Sequence, residues 1–210
     1  TKAMRLLALF AILISASLFS QCPEGDVILT SQQEIIDFVT DFPDCSQISG
    51  DLEISTTSEN LDLTLLSHLE LVEGELRIGG ITEAIVQDID SLPPGSLAGL
   101  ENISSVGDLI LSGSYFNLDP LTNISGEIGF IYFNGMRMSG PCPDFAEISE
   151  IGSFTWDECS FITESPRFSG LQSIGTLSFS SNSFYWIRDS LRVIHIPTPS
   201  VNSEELYITI

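Results

Sequence analysis

The chain has 210 residues, 43% of them hydrophobic, and carries a formal net charge of −22 at pH 7. This length and composition suit one domain with a buried core, and no break in composition marks a second domain. A surface this acidic repels phosphate backbones and anionic lipid, which excludes nucleic acid as a partner.

The first twenty residues have the composition of a secretory signal peptide. Two basic residues precede an uninterrupted apolar run at 6–14, and small and polar residues follow it. The run is too short for a permanent transmembrane helix. We therefore predict a signal peptide at 1–20 and a mature domain at 21–210. The mature chain should be secreted or displayed at the cell surface, with no transmembrane segment.

A capped helix is predicted near the start of the mature chain. Ser31 and Glu34 have the spacing of a capping box, and Pro43 ends the element. The apolar residues between them recur at helical intervals: Ile35, Ile36, Val39 and Phe42. We expect this helix to cover the open end of a core built from repeats.

Seven five-residue segments then share one pattern. The first residue is a Gly or turn residue, the second is often an acid, and the third and fifth are apolar. They begin at Gly50, Gly74, Gly107, Gly126, Gly152, Gly175 and Glu204. Side chains alternate along a strand, so the third and fifth residues of each segment should share one core. Steps of 19 to 33 residues between the segments are typical of an irregular repeat protein. The pattern predicts a mainly β fold, a right-handed parallel β-solenoid with an N-terminal capping helix.

Apolar residues also recur at every third position before several segments: Leu66, Leu69 and Val72; Leu100, Ile103 and Val106; Ile148 and Ile151; Leu171 and Ile174. This spacing favours a short helical or 3₁₀ turn that places a hydrophobic side chain in the core once per repeat. Each repeat should therefore combine one strand with one turn-rich wall.

Four cysteines in an exported chain are expected to pair, and four allow three pairings. We favour Cys22 with Cys45 and Cys142 with Cys159, because each pair is close in sequence and brackets one structural unit. Free buried thiols are unusual outside the reducing cytosol.

The stretch from Cys45 to Ile54 resembles the opening of a receptor L domain, the leucine-rich-like β-helix of insulin and epidermal growth factor receptor ectodomains, where a cysteine precedes a Gly-x-Leu-x-Ile strand. The order of Cys22, capped helix and Cys45 is similar to that family. The segment from Gly99 to Leu109 resembles a repeat of secreted bacterial surface proteins with this fold. After Asn134, aromatic residues replace the expected Leu and Ile. The resemblance implies an extracellular binding or adhesion module without catalytic residues.

The predicted binding surface is the strand face that points away from the core, together with the loop from Gly79 to Gly95. Its residues are Glu53, Arg77, Ile110, Thr155, Ser178 and Tyr207, with Gly129 at the matching position of the fourth segment. Such a flat face suits an extracellular protein or glycan. Five aromatic residues are candidates for stacking on sugars, with packing in the core as the alternative: Phe130, Tyr132, Phe133, Tyr185 and Trp186.

Motifs for catalysis are missing from the sequence. It has no nucleophile elbow, phosphate loop or Cys-x-x-Cys, and His68 and His195 lack a partner at metal-ligand spacing. We therefore expect no enzyme, no cofactor and no metal. A weak calcium site is the alternative, because four carboxylates share one segment position: Asp51, Glu75, Asp108 and Glu127.

Two rival functions stay open. The first is a β-helical polysaccharide-active enzyme, for which Asp157 and Glu158 beside Arg137 or Arg167 are the candidate site. The second is a passive structural spacer of a larger secreted protein. The chain begins without Met and stops inside a predicted strand at Ile210, so we expect a C-terminal truncation.

Overall fold

The structure is a computed structural model that describes residues 22–55, 61–79, 96–114, 118–138, 143–157, 159–161 and 167–180. This part of the chain is mainly β, with nine strands in one parallel sheet and one α-helix. The signal peptide predicted at 1–20, loop residues 80–95 and the segment predicted at Glu204 lie outside the described residues.

The elements follow one another in a simple order. The helix α1 spans Gln32–Asp41, and short 3₁₀ helices occupy Leu63–Leu66 and Asp119–Leu121. The strands are β1 Val27–Leu29, β2 Gln47–Ile48, β3 Leu52–Ser55, β4 Leu71–Gly79, β5 Ser105–Ser114, β6 Gly126–Met138, β7 Ile148–Asp157, β8 Ser160–Phe161 and β9 Ser173–Ser180.

Spatial neighbours in the sheet follow the chain order. The main path is β1-β3-β4-β5-β6-β7-β9, while β2 pairs with β4 and β8 pairs with β6, and every pairing is parallel. The path runs from one end to the other without closing on itself. Parallel neighbours require the chain to return between strands, so each repeat consists of one strand and one return segment.

The return segments share a short turn, which confirms the prediction made from apolar residues at every third position. In six repeats a backbone N–H donates to the carbonyl three residues earlier, over 2.9–3.3 Å. The donors are Cys45, Leu69, Ile103, Ile124, Ile148 and Leu171. All six side chains are buried, so these turns and the strands enclose the same core.

Two columns of apolar side chains cross the sheet in register on its core side. The first is Val27, Leu52, Leu76, Leu109, Ile131, Phe154 and Leu177, and the second is Leu29, Ile54, Ile78, Leu111, Phe133 and Trp156. All are buried except Leu177, which is partly buried. The described part of the chain buries no polar or charged residue in this core.

The strand β6 corrects the fourth predicted segment. We expected Ile128 and Phe130 to continue the two columns, but Ile131 and Phe133 do so, and Phe130 lies opposite Asp108. The segment was aligned on Gly126, which has φ of 85° with open space around its α-carbon, as expected of a turn glycine. The sheet register also shifts directly after it. The position equivalent to Gly107 is therefore Gly129.

In each repeat of the part of the chain that the structure describes, a glycine stands at the same place, directly before the outward acid or its equivalent. These residues are Gly25, Gly50, Gly74, Gly107, Gly129, Gly152 and Gly175, at steps of 25, 24, 33, 22, 23 and 23 residues. A side chain at most of them would meet the backbone of the preceding repeat. The glycine column also begins with Gly25, just before β1, a strand that the sequence pattern missed and that pairs with β3.

The N-terminal end of the sheet carries the capped helix and a disulfide. Ser31 and Glu34 form the expected capping box. The buried helix residues are Ile35 and Phe38, whereas Ile36 is 40% exposed, contrary to the predicted apolar side. The expected Cys22–Cys45 disulfide is present, with a Cα separation of 4.7 Å.

The second cysteine pairing is not decided. Cys159 is 6% exposed and belongs to the core cluster. Cys142 lies outside the described residues. The pairing of these two cysteines therefore stays a prediction.

Candidate partner-binding face

The sheet side that points away from the core, here called the outer face, contains five of the six predicted binding residues. One row runs in register over six strands: Glu53, Arg77, Ile110, Tyr132, Thr155 and Ser178. Arg77 and Ser178 are exposed and the other four are half-buried. Tyr132 takes the position predicted for Gly129, because β6 is displaced by three residues. Tyr207 lies outside the described residues.

A second row of the outer face runs beside the first on the N-terminal strands and is acidic. It consists of Asp26, Asp51, Glu75 and Asp108. Asp26 Oδ1 accepts the backbone N–H of Asp51 at 3.0 Å, and Asp51 Oδ1 accepts that of Glu75 at 2.8 Å. In these two repeats the acid that follows the glycine thus accepts a hydrogen bond from a backbone N–H at the same position of the next repeat. We call this row together with Glu53 the acidic zone.

Glu127 does not belong to this row, which corrects the fourth member of the predicted carboxylate ladder. It pairs with Glu150, while Asp108 lies opposite Phe130. Within the described ranges, no group of three or more His, Cys, Asp or Glu side chains is arranged to hold a metal ion. The carboxylates of Asp26 and Asp51 instead bind backbone N–H groups.

Arg77 is engaged within the acidic zone. Its Nε donates to Glu75 Oε1 at 2.6 Å. This hydrogen bond, with the nearby charges of Glu53 and Asp51, raises the pKa of Arg77. The Arg77 side chain is 49% exposed, so solvent screens much of the attraction.

Two aromatic side chains occupy the centre of the outer face. Phe130 and Tyr132 are half-buried and stack with ring centroids 5.7 Å apart and planes 28° from parallel. We call this pair with Ile110, which lies opposite Tyr132, the aromatic zone. Phe133 is fully buried against Phe154 and Trp156, so it belongs to the core.

Beyond the aromatic zone, the outer positions of the last two main strands carry hydroxyl groups. Ser153 and Thr155 on β7 lie opposite Thr176 and Ser178 on β9. The outer face therefore changes along the chain from carboxylates through aromatic rings to hydroxyls. No sequence signal marked this order, because it depends on the register of β6.

The candidate enzyme site is only partly described. Asp157 lies at the end of β7, opposite Asn134 and Ser180, and Arg167 pairs through its backbone with Asp144. Glu158 and the side chain of Arg137 lie outside the described part. The predicted sugar-stacking residues Tyr185 and Trp186, and loop residues 80–95, also lie outside it.

His68 has a structural environment. Its Nδ1 lies 3.1 Å from the carbonyl oxygen of Leu65, and its ring stacks on Phe38 at 6.4 Å between centroids. The ring contact joins the return segment before β4 to the helix α1.

In the part of the chain that the structure describes, no helix has the length and apolar character to cross a membrane. Comparisons with protein-family models, with curated proteins and with solved structures found no match for this chain.

Proposed function

We propose that this chain is a non-catalytic, secreted or cell-surface binding module that recognises an extracellular protein or glycan through its outer face and the loop from Gly79 to Gly95. We further propose that the parallel sheet belongs to a right-handed β-solenoid of the receptor L type. Both proposals continue from the resemblance of Cys45 to Ile54 to that family.

One observation carries the functional proposal. Six side chains from six parallel strands, from Glu53 to Ser178, form one continuous row on the outer face. At about 4.8 Å per strand the row is about 24 Å long. None of its residues is fully buried, and it combines charged, apolar and hydroxyl groups. A flat surface of this length suits an extended partner better than a small substrate.

Three features support the solenoid. The strands of the main path are parallel and pair in chain order, a glycine recurs at the same register position of each of them, and the return segments share one turn. Parallel strands joined by crossovers are almost always right-handed. The Cys22–Cys45 disulfide and the capping helix support export and a closed N-terminal end.

The experiment is a partner screen with matched surface variants. The mature chain is immobilised, and an extracellular protein extract and a glycan array are screened for bound partners. Ile110→Arg and Thr155→Arg change the row, whereas Gln172→Arg adds the same charge at an exposed residue just before β9. We expect the two row variants to lose the partner and Gln172→Arg to keep it. A partner retained by both row variants would refute the proposed face, and a passive spacer would capture nothing.

A further inference from the structure

The junction between the acidic and aromatic zones has an unusual combination of neighbours. Asp108 on β5 lies opposite Phe130 on β6, and Ile110 lies opposite Tyr132. A half-buried carboxylate is therefore adjacent to a stacked aromatic pair. Among the described residues no cationic side chain forms an ion pair with Asp108, and the neighbouring Arg77 is already bound to Glu75.

This combination favours a cation. Aromatic ring faces attract Lys and Arg through their quadrupole, and a carboxylate beside the ring adds direct attraction. A neutral glycan would gain little from the carboxylates, and an anionic one would be repelled. The net charge of −22 on the whole chain also favours a basic partner.

We infer that the acidic and aromatic zones bind a basic segment of a partner protein, with one Lys or Arg placed against Phe130 and Tyr132 beside Asp108. This inference rests on the proposed binding function and specifies the chemistry of its partner. A second basic residue of the same segment would reach Glu53 on β3, which lies three strands from Tyr132 on β6 along the outer row.

The strand spacing sets the length of the recognised segment. Three strand steps of about 4.8 Å make about 14 Å, which an extended peptide covers with about four residues at roughly 3.3 Å each. Two basic residues about four positions apart should therefore bind better than two adjacent ones. Glu75 and Arg77 lie between the two sites and neutralise each other.

The test uses the mature full chain and a fluorescent nine-residue peptide of Gly and Ser with two Arg four positions apart, followed by anisotropy. Tyr132→Leu removes the ring but keeps apolar volume, and Tyr132→Phe keeps the ring. Loss of a cation–π contact should weaken binding about 2- to 30-fold in Tyr132→Leu, with Tyr132→Phe within about 2-fold of the unmodified chain. Asp108→Asn should also weaken binding and reduce its salt dependence. A peptide with Gln in place of Arg should not bind.

The charge-matched control is Glu150→Gln, an exposed residue of β7 opposite Glu127. Equal weakening by Glu150→Gln and Asp108→Asn would show non-specific attraction and overturn the inference, as would unchanged binding by Tyr132→Leu. Thermal melts verify that each variant folds. If Tyr132→Leu does not fold, Thr155→Arg replaces it, because a cation beside Tyr132 should repel the peptide.

The same variants separate this inference from the proposed function. Salt-independent capture of a neutral glycan that requires Ile110 and Thr155 would overturn the basic partner and keep the outer face as the binding surface. Capture of neither peptide, protein nor glycan through the outer face would overturn both.

Discussion

Replacing Gly107 by Ala should destabilise the sheet, because the glycine column allows neighbouring repeats to approach closely. A Cβ at Gly107 would lie 2.5 Å from the carbonyl oxygen of Glu73 and 2.8 Å from that of Gly74. Real Cβ contacts under 3.0 Å essentially never occur, so β5 must move by at least 0.5 Å relative to β4. Both obstructing atoms are backbone atoms, and rotation of a side chain cannot relieve the overlap.

We expect Gly107→Ala to cost about 1–3 kcal/mol, which lowers the melting temperature by roughly 2–12 °C for a chain of this size. Gly129→Ala is the matched control in the same column. Its Cβ would lie 2.6 Å from Oδ1 of the Asp108 side chain, which can rotate, and 3.6 Å from the nearest backbone atom, the carbonyl oxygen of Gly107. Its stability should change by less than about 1 kcal/mol, since Ala also restricts the unfolded chain. Thermal unfolding followed by circular dichroism measures both. Equal losses in the two variants, or no loss in Gly107→Ala, would refute the close-approach argument.

Three further predictions follow from the described contacts. Phe133→Ala removes a fully buried ring and should cost about 3–5 kcal/mol in denaturant unfolding, whereas Phe130→Ala on the outer face should cost clearly less; similar costs would contradict the register of β6. Replacing both Cys22 and Cys45 by Ser should lower the unfolding free energy by about 2–4 kcal/mol, and this difference between the unmodified chain and the double variant should disappear when both are measured in a reducing agent. Hydrogen bonds from Thr30 and then Ser31 lower the pKa of Glu34 below 4.5, so the folded state binds this proton more weakly than the unfolded state. The ionised Glu34 therefore stabilises the folded state above pH 4.5, and this contribution is lost as the pH falls through its lowered pKa. The stability difference between the unmodified chain and Glu34→Gln should therefore shrink in acid, and a difference that does not vary with pH would contradict it.

The segments that the sequence located well are those where local pattern and tertiary position agree. In Gly74 to Ile78 the glycine, the acid and both apolar residues fall into the columns as predicted, because one alternating pattern leaves no second alignment. The capping box at Ser31 was equally predictable, since it depends on side chains three residues apart. The buried side of α1 was not predictable, because it depends on which helix residues the return segments contact. Phe38 is buried and stacks with His68 of a return segment, whereas Ile36 is exposed.

The strand β6 shows where sequence reasoning reaches its limit. Residues 126–133 contain two glycines and two overlapping apolar alternations, each compatible with a strand. The choice between them depends on the neighbouring strand, because Ile131 and Phe133 lie opposite Leu109 and Leu111 and are fully buried with them in the core. That three-residue displacement moved Glu127 out of the acidic row and placed Phe130 and Tyr132 on the outer face.

The sequence by itself determined the mainly β class, the capped helix, the three-residue turns and most strand positions, because each follows from periodicity within a few residues. Only the tertiary structure decided which residues from different repeats are neighbours, because parallel register is set by contacts between segments more than twenty residues apart. The order of carboxylates, aromatic rings and hydroxyls on the outer face depends on that register, since displacing one strand along the sheet changes which side chains meet on its surface.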